Sequence, residues 1–184
     1  MPSLRFITSN KGKFLEAKKI LPDLVWLNLS VQETQSLSPI EILRWKAYNL
    51  RCLIDGPFVV EDTGLFLECF NFKGPGPFVK FFLQMFTLQE LVEFAKKKEK
   101  LRAKAVTLLA YSDEGFSIKF FKGETLGYIC NPVVKSNFGW DPIFRPKGYS
   151  KVFAEMTTDE KNCASMRGKA FLKLLKFLKS NGRV

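Results

Sequence analysis

The hydrophobic pattern begins with an apolar run, Leu4 to Ile7, that stops at Thr8-Ser9-Asn10 and gives way to Lys11, Gly12 and Lys13. The run reads as a buried strand, and the residues from about Gly12 to Leu21, ended by Pro22, read as a helix. VWLNLSV alternates apolar and polar residues and predicts a second strand. Ser38-Pro39-Ile40-Glu41 reads as a helix start, with Ser38 as cap, Pro39 in the first turn and Glu41 completing a capping box. That helix reaches about Ile54, and Gly56-Pro57 then breaks the chain. FVVEDTG reads as a short buried strand ending in acids. After GPGP the pattern is helical, and a capping box at Thr87 to Glu90 divides it into two helices. The Phe-rich FVKFFLQMF is assigned to core, with an apolar interface as the alternative. AVTLLAYS, the turn Asp113-Glu114-Gly115 and FSIKFFKGE predict an antiparallel hairpin, which GETLGYIC extends into a meander. Asn131 to Tyr149 reads as a long structured loop, and the last helix spans about Ser165 to Lys179 with apolar positions at Leu172, Leu175 and Leu178. Alternating strand and helix in the N-terminal half, with consecutive strands in the middle, predict a mixed α/β fold.

Length and composition narrow the function classes. The 184 residues suit a single domain over 1–184. No stretch approaches the roughly 18 to 20 apolar residues of a membrane span, and the N-terminus lacks a signal-peptide pattern, so a cytoplasmic protein is expected. Cys52, Cys69, Cys130 and Cys163 form no C-x-x-C pair, which argues against structural zinc and a disulfide scaffold. The chain has no His, which removes His-based triads and dyads, so acid–base or metal chemistry falls to carboxylates, lysines, Tyr or Cys. The net charge of +11 points to anionic partners, although AKKKEKLRAK and KLLKFLK account for much of it as solvated helix faces.

Four stretches could carry chemistry. TSNKGK occupies a strand-to-helix turn, where backbone N–H groups and the helix dipole favour phosphate; it lacks the Walker pattern, and a capped turn with solvated lysines is the plain alternative. In VVEDTG, Glu61 and Asp62 are adjacent acids facing opposite ways, and a carboxylate at such a place can hold Mg²⁺ through oxygen. Asn137-Phe138-Gly139-Trp140-Asp141-Pro142 offers aromatic faces for a base and an acid for its N–H groups, or else a packed loop. In EKNCASMRGKA, Lys161, Arg167 and Lys169 surround Ser165 at a helix start, again suiting an anion.

Together and in this order, TSNKGK, VVEDTG, GPGP, FGWDPIF, AEM, EKN and S-x-RGKA resemble the inosine triphosphate pyrophosphatase family, from Phe6 to about Leu178. The resemblance implies a long twisted mixed β-sheet with helices and two lobes around a central nucleotide-binding cleft. It implies Mg²⁺-dependent hydrolysis of the non-standard purine nucleotides ITP, dITP and XTP to monophosphate and pyrophosphate, in a homodimer. By position it makes Thr8, Ser9, Asn10, Lys11, Gly12 and Lys13 the phosphate-binding turn, with Lys46 facing the phosphates. Asp62 becomes general base and metal ligand, with Glu33 and Glu61 as further metal acids and Thr63 near the substrate. Phe138, Gly139, Trp140 and Asp141 take the base, and Lys161, Ser165, Met166 and Arg167 close the site. One position departs: the family reads S-H-R-G-K-A, and this chain has Met166 where the His stands. Met offers no N–H donor to a 6-oxo group, so weaker base selection is expected. Two alternatives stay open: a basic nucleic-acid-binding protein, which would leave Glu33, Glu61 and Asp62 unexplained, and a pyrophosphatase for other modified nucleotides. No stable nucleic-acid binding is expected.

Overall fold

The computed structural model describes residues 3–32, 34–113, 117–133 and 138–183. Its sheet contains β1 (Arg5–Ile7), β2 (Val25–Leu27), β3 (Phe58–Leu67), β4 (Pro75–Gly76), β5 (Arg102–Ser112), β6 (Ile118–Ile129) and β7 (Phe144–Pro146). The order is β2-β1-β3-β5-β6-β7, with β4 beside β3. β1 runs parallel to β2 and β3, and the pairs from β3 through β7 are antiparallel. The helices are α1 (Lys11–Ile20), α2 (Pro39–Arg51), α3 (Val79–Met85), α4 (Leu88–Lys97), α5 (Thr158–Ala164) and α6 (Met166–Ser180). The mixed α/β expectation holds.

The two-residue period of a strand sorts β3 between cores. Val59 joins Phe6, Leu109 and Tyr111 beneath α1 and α6, where Ala17, Phe171 and Leu174 pack. Phe58 and Val60 join Ile7 and Ala110 beneath Leu43, Ala47 and Leu50 of α2. Further along, Leu65 and Leu67 enter a third core with Ala105, Val79, Val92, Phe144 and Phe153. Glu61 and Asp62 therefore sit where one core gives way to the next. On the α6 side the approach is close: a Cβ on Gly123 of β6 would lie 1.8 Å from the Met166 carbonyl oxygen, so only glycine lets the start of α6 rest there. Thr125 ties the same junction, donating to the Ala164 carbonyl at 2.8 Å.

Several local expectations are corrected. The acids do not end a short strand: β3 continues to Leu67, because Gly64 to Leu67 find full antiparallel partners on β5. GETLGYIC adds no separate strand: Gly123 to Ile129 form the second half of β6. The second strand covers only Val25–Leu27 of VWLNLSV, and the helix expected to reach Ile54 stops at Arg51. Ser38 caps α2 without a side-chain bond, since Glu41 takes the Ser36 hydroxyl instead (2.7 Å); the Thr87–Glu90 box forms as expected. The long loop 131–149 contains a 3₁₀ turn at Asp141–Ile143 and β7. α6 buries Phe171, Leu174 and Leu178 rather than Leu172, which is 51% exposed. FVKFFLQMF is core only in part: Val79 is buried in the third core and Leu83 packs against it, while Phe81, Met85 and Phe86 are exposed. Glu114 and Gly115 of the expected hairpin turn lie outside the described residues, as do Glu33 and Asn137.

Candidate active site

A cleft of about 520 Å³ opens beside the middle of β3. One wall is the turn between β1 and α1. Asn10 caps α1 by accepting the Lys13 N–H at 3.0 Å, which turns its Oδ1 toward the helix and leaves its NH2 group to donate, the polarity an anion needs. Its own N–H donates to the Thr8 hydroxyl at 3.1 Å, and the Trp26 indole holds the Thr8 carbonyl at 2.8 Å. Thr8, Ser9, Asn10 and Lys13 line the cleft. Lys11 and Gly12 do not: Lys11 points to solvent, and Gly12 serves packing. A Cβ there would stand 2.2 Å from Phe138, so the bare glycine lets the Phe138 ring lie against the first turn of α1.

The floor is β3. Glu61 and Asp62 both line the cleft but meet different neighbours. Glu61 is buried at 4% exposure. Arg167 holds it with two nitrogens, Nε to Oε2 at 2.8 Å and Nη2 to Oε1 at 2.9 Å. Lys13 stands 3.1 Å away, and Thr63 donates to Oε1 at 2.7 Å. Burial pushes the Glu61 carboxyl up, but the charges of Arg167 and Lys13, with hydrogen bonds from Arg167 and Thr63, outweigh it and hold it well below the usual carboxylate range. Expected as a metal ligand, Glu61 thus has both oxygens engaged by protein donors. Asp62 is half-buried, on the face of β3 that meets α2, whose buried Lys46 also lines the cleft.

The third wall is 138–141 with the start of α6. Phe138, Gly139, Trp140, Asp141, Met166 and Arg167 line the cleft. Lys161 and Ser165 do not. Ser165 caps α6, accepting the Gly168 N–H at 3.0 Å. Lys161 is buried, donating to Glu16 at 2.6 Å and to Asp141, with its ammonium 4.3 Å from the Phe138 ring centroid. Burial pushes the Asp141 carboxyl up, the Lys161 charge opposes it, and the direction remains upward. Lys169 leaves the cluster assigned to it and donates to the Glu124 carbonyl and the Thr125 hydroxyl.

Sequence reasoning did not single out Glu16. It bridges Lys161 and Arg167, the latter at 2.5 Å. Glu16, Glu61 and Asp141 with Lys13, Lys161 and Arg167 form a connected cluster of three acids and three bases. Two burial signals pointed toward Glu16: it neighbours the buried Ala17, and Ile20, one turn on at i+4, packs against the core. Lys80 and Phe81 of α3 also reach the cleft and were not singled out. Among the described residues no group of three or more His, Cys, Asp or Glu side chains is placed to hold a metal, and no helix is long and apolar enough to cross a membrane. All four cysteines are free thiols.

The sequence model of the Ham1 family matches residues 4–177. The chain is 36% identical over 184 residues to the dITP/XTP pyrophosphatase of Thermococcus kodakarensis, covering 97% of this chain and 98% of that one. It is 37% identical over 182 residues to the inosine triphosphate pyrophosphatase of Emericella nidulans, covering 97% of each chain. A solved HAM1 protein from Coxiella burnetii superposes with a TM-score of 0.78 at 24% identity, covering 96% of this chain and 99% of that one, a likeness of fold. With a family match along nearly its whole length, the chain belongs to the Ham1 family.

Proposed function

We propose that this protein is a nucleoside triphosphate pyrophosphatase that hydrolyses ITP, dITP and XTP to the monophosphate and pyrophosphate. The carrying observation is the cleft itself: a helix-start turn rich in donors, with Lys13, Lys46 and Lys80, faces a half-buried carboxylate, Asp62. The names of the relatives, dITP/XTP and inosine triphosphate pyrophosphatase, point the same way. The donors of Ser9 and Asn10 and the lysine ammoniums hold the phosphates and stabilise charge on the leaving pyrophosphate. Water attacks the α-phosphorus, the bond from that phosphorus to the bridging oxygen breaks, and Asp62 takes the proton of the water. Phe138, Trp140 and Asp141 form the wall for the base.

Asp62 fits Mg²⁺, a hard ion that takes one or two carboxylates together with substrate phosphates and water, with Glu33 as the second acid. Glu61 fits less well, because cations and a hydroxyl already occupy its oxygens. When bound, the ion would neutralise phosphate charge and lower the pKa of water. Homodimerisation belongs to the same reading, and the exposed Phe81, Met85 and Phe86 supply apolar surface for it.

The test is Mg²⁺-dependent pyrophosphate release from a panel of nucleoside triphosphates; a panel that yields none ends this reading. Met166 lines the base side and packs into the apolar core. Base choice is accordingly relaxed, and Met166→His raises the kcat/KM ratio of ITP over ATP by about tenfold or more. A strong ITP preference, equal in both proteins, removes that claim.

A further inference from the structure

Thr63 and Thr107 face each other across β3 and β5, with their hydroxyl oxygens 2.9 Å apart. Distance alone leaves the donor open, but Glu61 decides it. The Thr63 oxygen lies 2.7 Å from Glu61 Oε1, and Arg167 beside Glu61 holds that carboxylate ionised. An ionised carboxylate only accepts, so the single Thr63 proton belongs to Glu61. Thr107 is therefore the donor to Thr63. Thr107 is fully buried, and Thr63 offers the acceptor its proton needs. The chain of donation runs one way, from Thr107 to Thr63 to Glu61.

A hydroxyl has one proton and two lone pairs. Thr63 has given its proton to Glu61 and one lone pair to Thr107. What it can still present to the cleft it lines is one acceptor. We propose that Glu61 fixes Thr63 as an acceptor for a substrate-side hydroxyl donor, that Thr107, by occupying one Thr63 lone pair, is a positioning residue that aims the other at the cleft, and that Thr63 does not donate to phosphate. The donor is a sugar hydroxyl of the nucleotide or the attacking water, two sources with the same chemistry. The proposal rests on the pyrophosphatase reading above.

The experiment uses the full chain with Thr107→Val, Thr107→Ser, Thr63→Val and the Thr63→Val/Thr107→Val double variant. Calorimetry measures binding of a non-hydrolysable inosine triphosphate analogue in ribo, 2′-deoxy and 2′,3′-dideoxy forms, and pyrophosphate release gives kcat and KM for the matching substrates. Thr107→Val is expected to lose about five- to tenfold, the scale of one hydrogen bond. If the donor is a sugar hydroxyl, the loss falls on Kd and KM, and the wild-type preference for the hydroxylated sugar disappears. If it is water, the loss falls on kcat equally for all three sugars. Either way Thr107→Ser restores the wild-type value within about twofold, and Thr107→Val adds nothing in the Thr63→Val background. Thr107→Val within twofold of wild type in every parameter overturns the proposal. So does a Thr107→Ser variant as impaired as Thr107→Val, or an additive double variant, since either reduces Thr107 to packing. Wild-type protein that binds the analogues but releases no pyrophosphate overturns the proposed reaction, and the binding arm still decides the role of Thr107. Wild-type protein that binds none of them overturns both.

Discussion

Glu61 and Asp62 are neighbours in sequence with the same chemistry, and β3 sends them to opposite surroundings. Glu61 faces α6 and is locked to Arg167, Lys13 and Thr63 at 4% exposure. Asp62 faces the α2 side with Lys46 and stays half-buried at the cleft. One acid is a structural anion held ionised by fixed cations. The other is half-buried and lines the cleft, and the acid–base and metal roles proposed above fall to it. The difference teaches that the cluster around Arg167 preorganises the cleft: it gives α1, β3, α5, α6 and the 3₁₀ turn at Asp141 a common set of ion pairs. Its charges are matched, three of each sign with Lys13 among the cations, so the cluster as a whole brings little net charge to the cleft.

The sharpest way to break this contrast is Asp62→Asn. The substitution keeps the shape and removes the proposed base, and it is expected to lower kcat by about 10²- to 10⁴-fold. The melting temperature should stay within about 3 °C of wild type, the range of a substitution costing no more than about 1 kcal/mol. An active Asp62→Asn protein would move the chemistry elsewhere. A protein that unfolds on this change would show that Asp62, too, is structural.

Arg167→Met reads the other side. It leaves Glu61 and Glu16 buried without the guanidinium that neutralises them, and loss of one partner from a buried ionic cluster costs about 3–5 kcal/mol. For a chain of this size the melting temperature should fall by about 6–20 °C. Thermal unfolding of wild type and variant measures it. A drop of less than about 2 °C would show that water reaches the cluster and that the distinction between the two acids is overstated.

How much of this was legible follows from where each signal resides. Local signals read well: the Thr87–Glu90 box, the Asn10 turn opening α1 and the β5–β6 pairing are each written within a few residues. The fate of Glu61 was not, because its partner Arg167 lies 106 residues away and no local pattern links them. Glu16 fails for the same reason, since its bond to Arg167 spans 151 residues, and an acid three residues after Lys13 looks like a surface pair on the helix. The Phe-rich α3 misled because composition does not say which side of a seven-residue helix is covered: Val79 packs inward while Phe81 and Met85 face out. Family motifs located the cleft residues but not their division of labour. Lys161 and Ser165 stand behind the wall as ion pair and helix cap.

The smallest effect tests whether burial is what separates structural ion pairs from decorative ones. Glu160 resembles Glu61 in accepting from a lysine and from a threonine, here Lys151 Nζ and the Thr157 backbone N–H, each at 2.8 Å, but it is exposed. The hydrogen bonds from Lys151 and Thr157 lower its pKa from 4.5. A carboxyl whose folded pKa is depressed adds stability above its unfolded pKa and loses it as pH falls through the folded value. Glu160→Gln should therefore melt slightly below wild type at pH 7, and the gap should close as the pH falls below about 4.5. Added salt should narrow the pH 7 gap as well, because exposed pairs are screened. The Arg167→Met deficit, set inside the protein, should keep most of its size in the same salt. Equal salt sensitivity for both variants would mean that the buried cluster is solvated like the surface pair, and the contrast between the two faces of β3 would have to rest on access to the cleft alone.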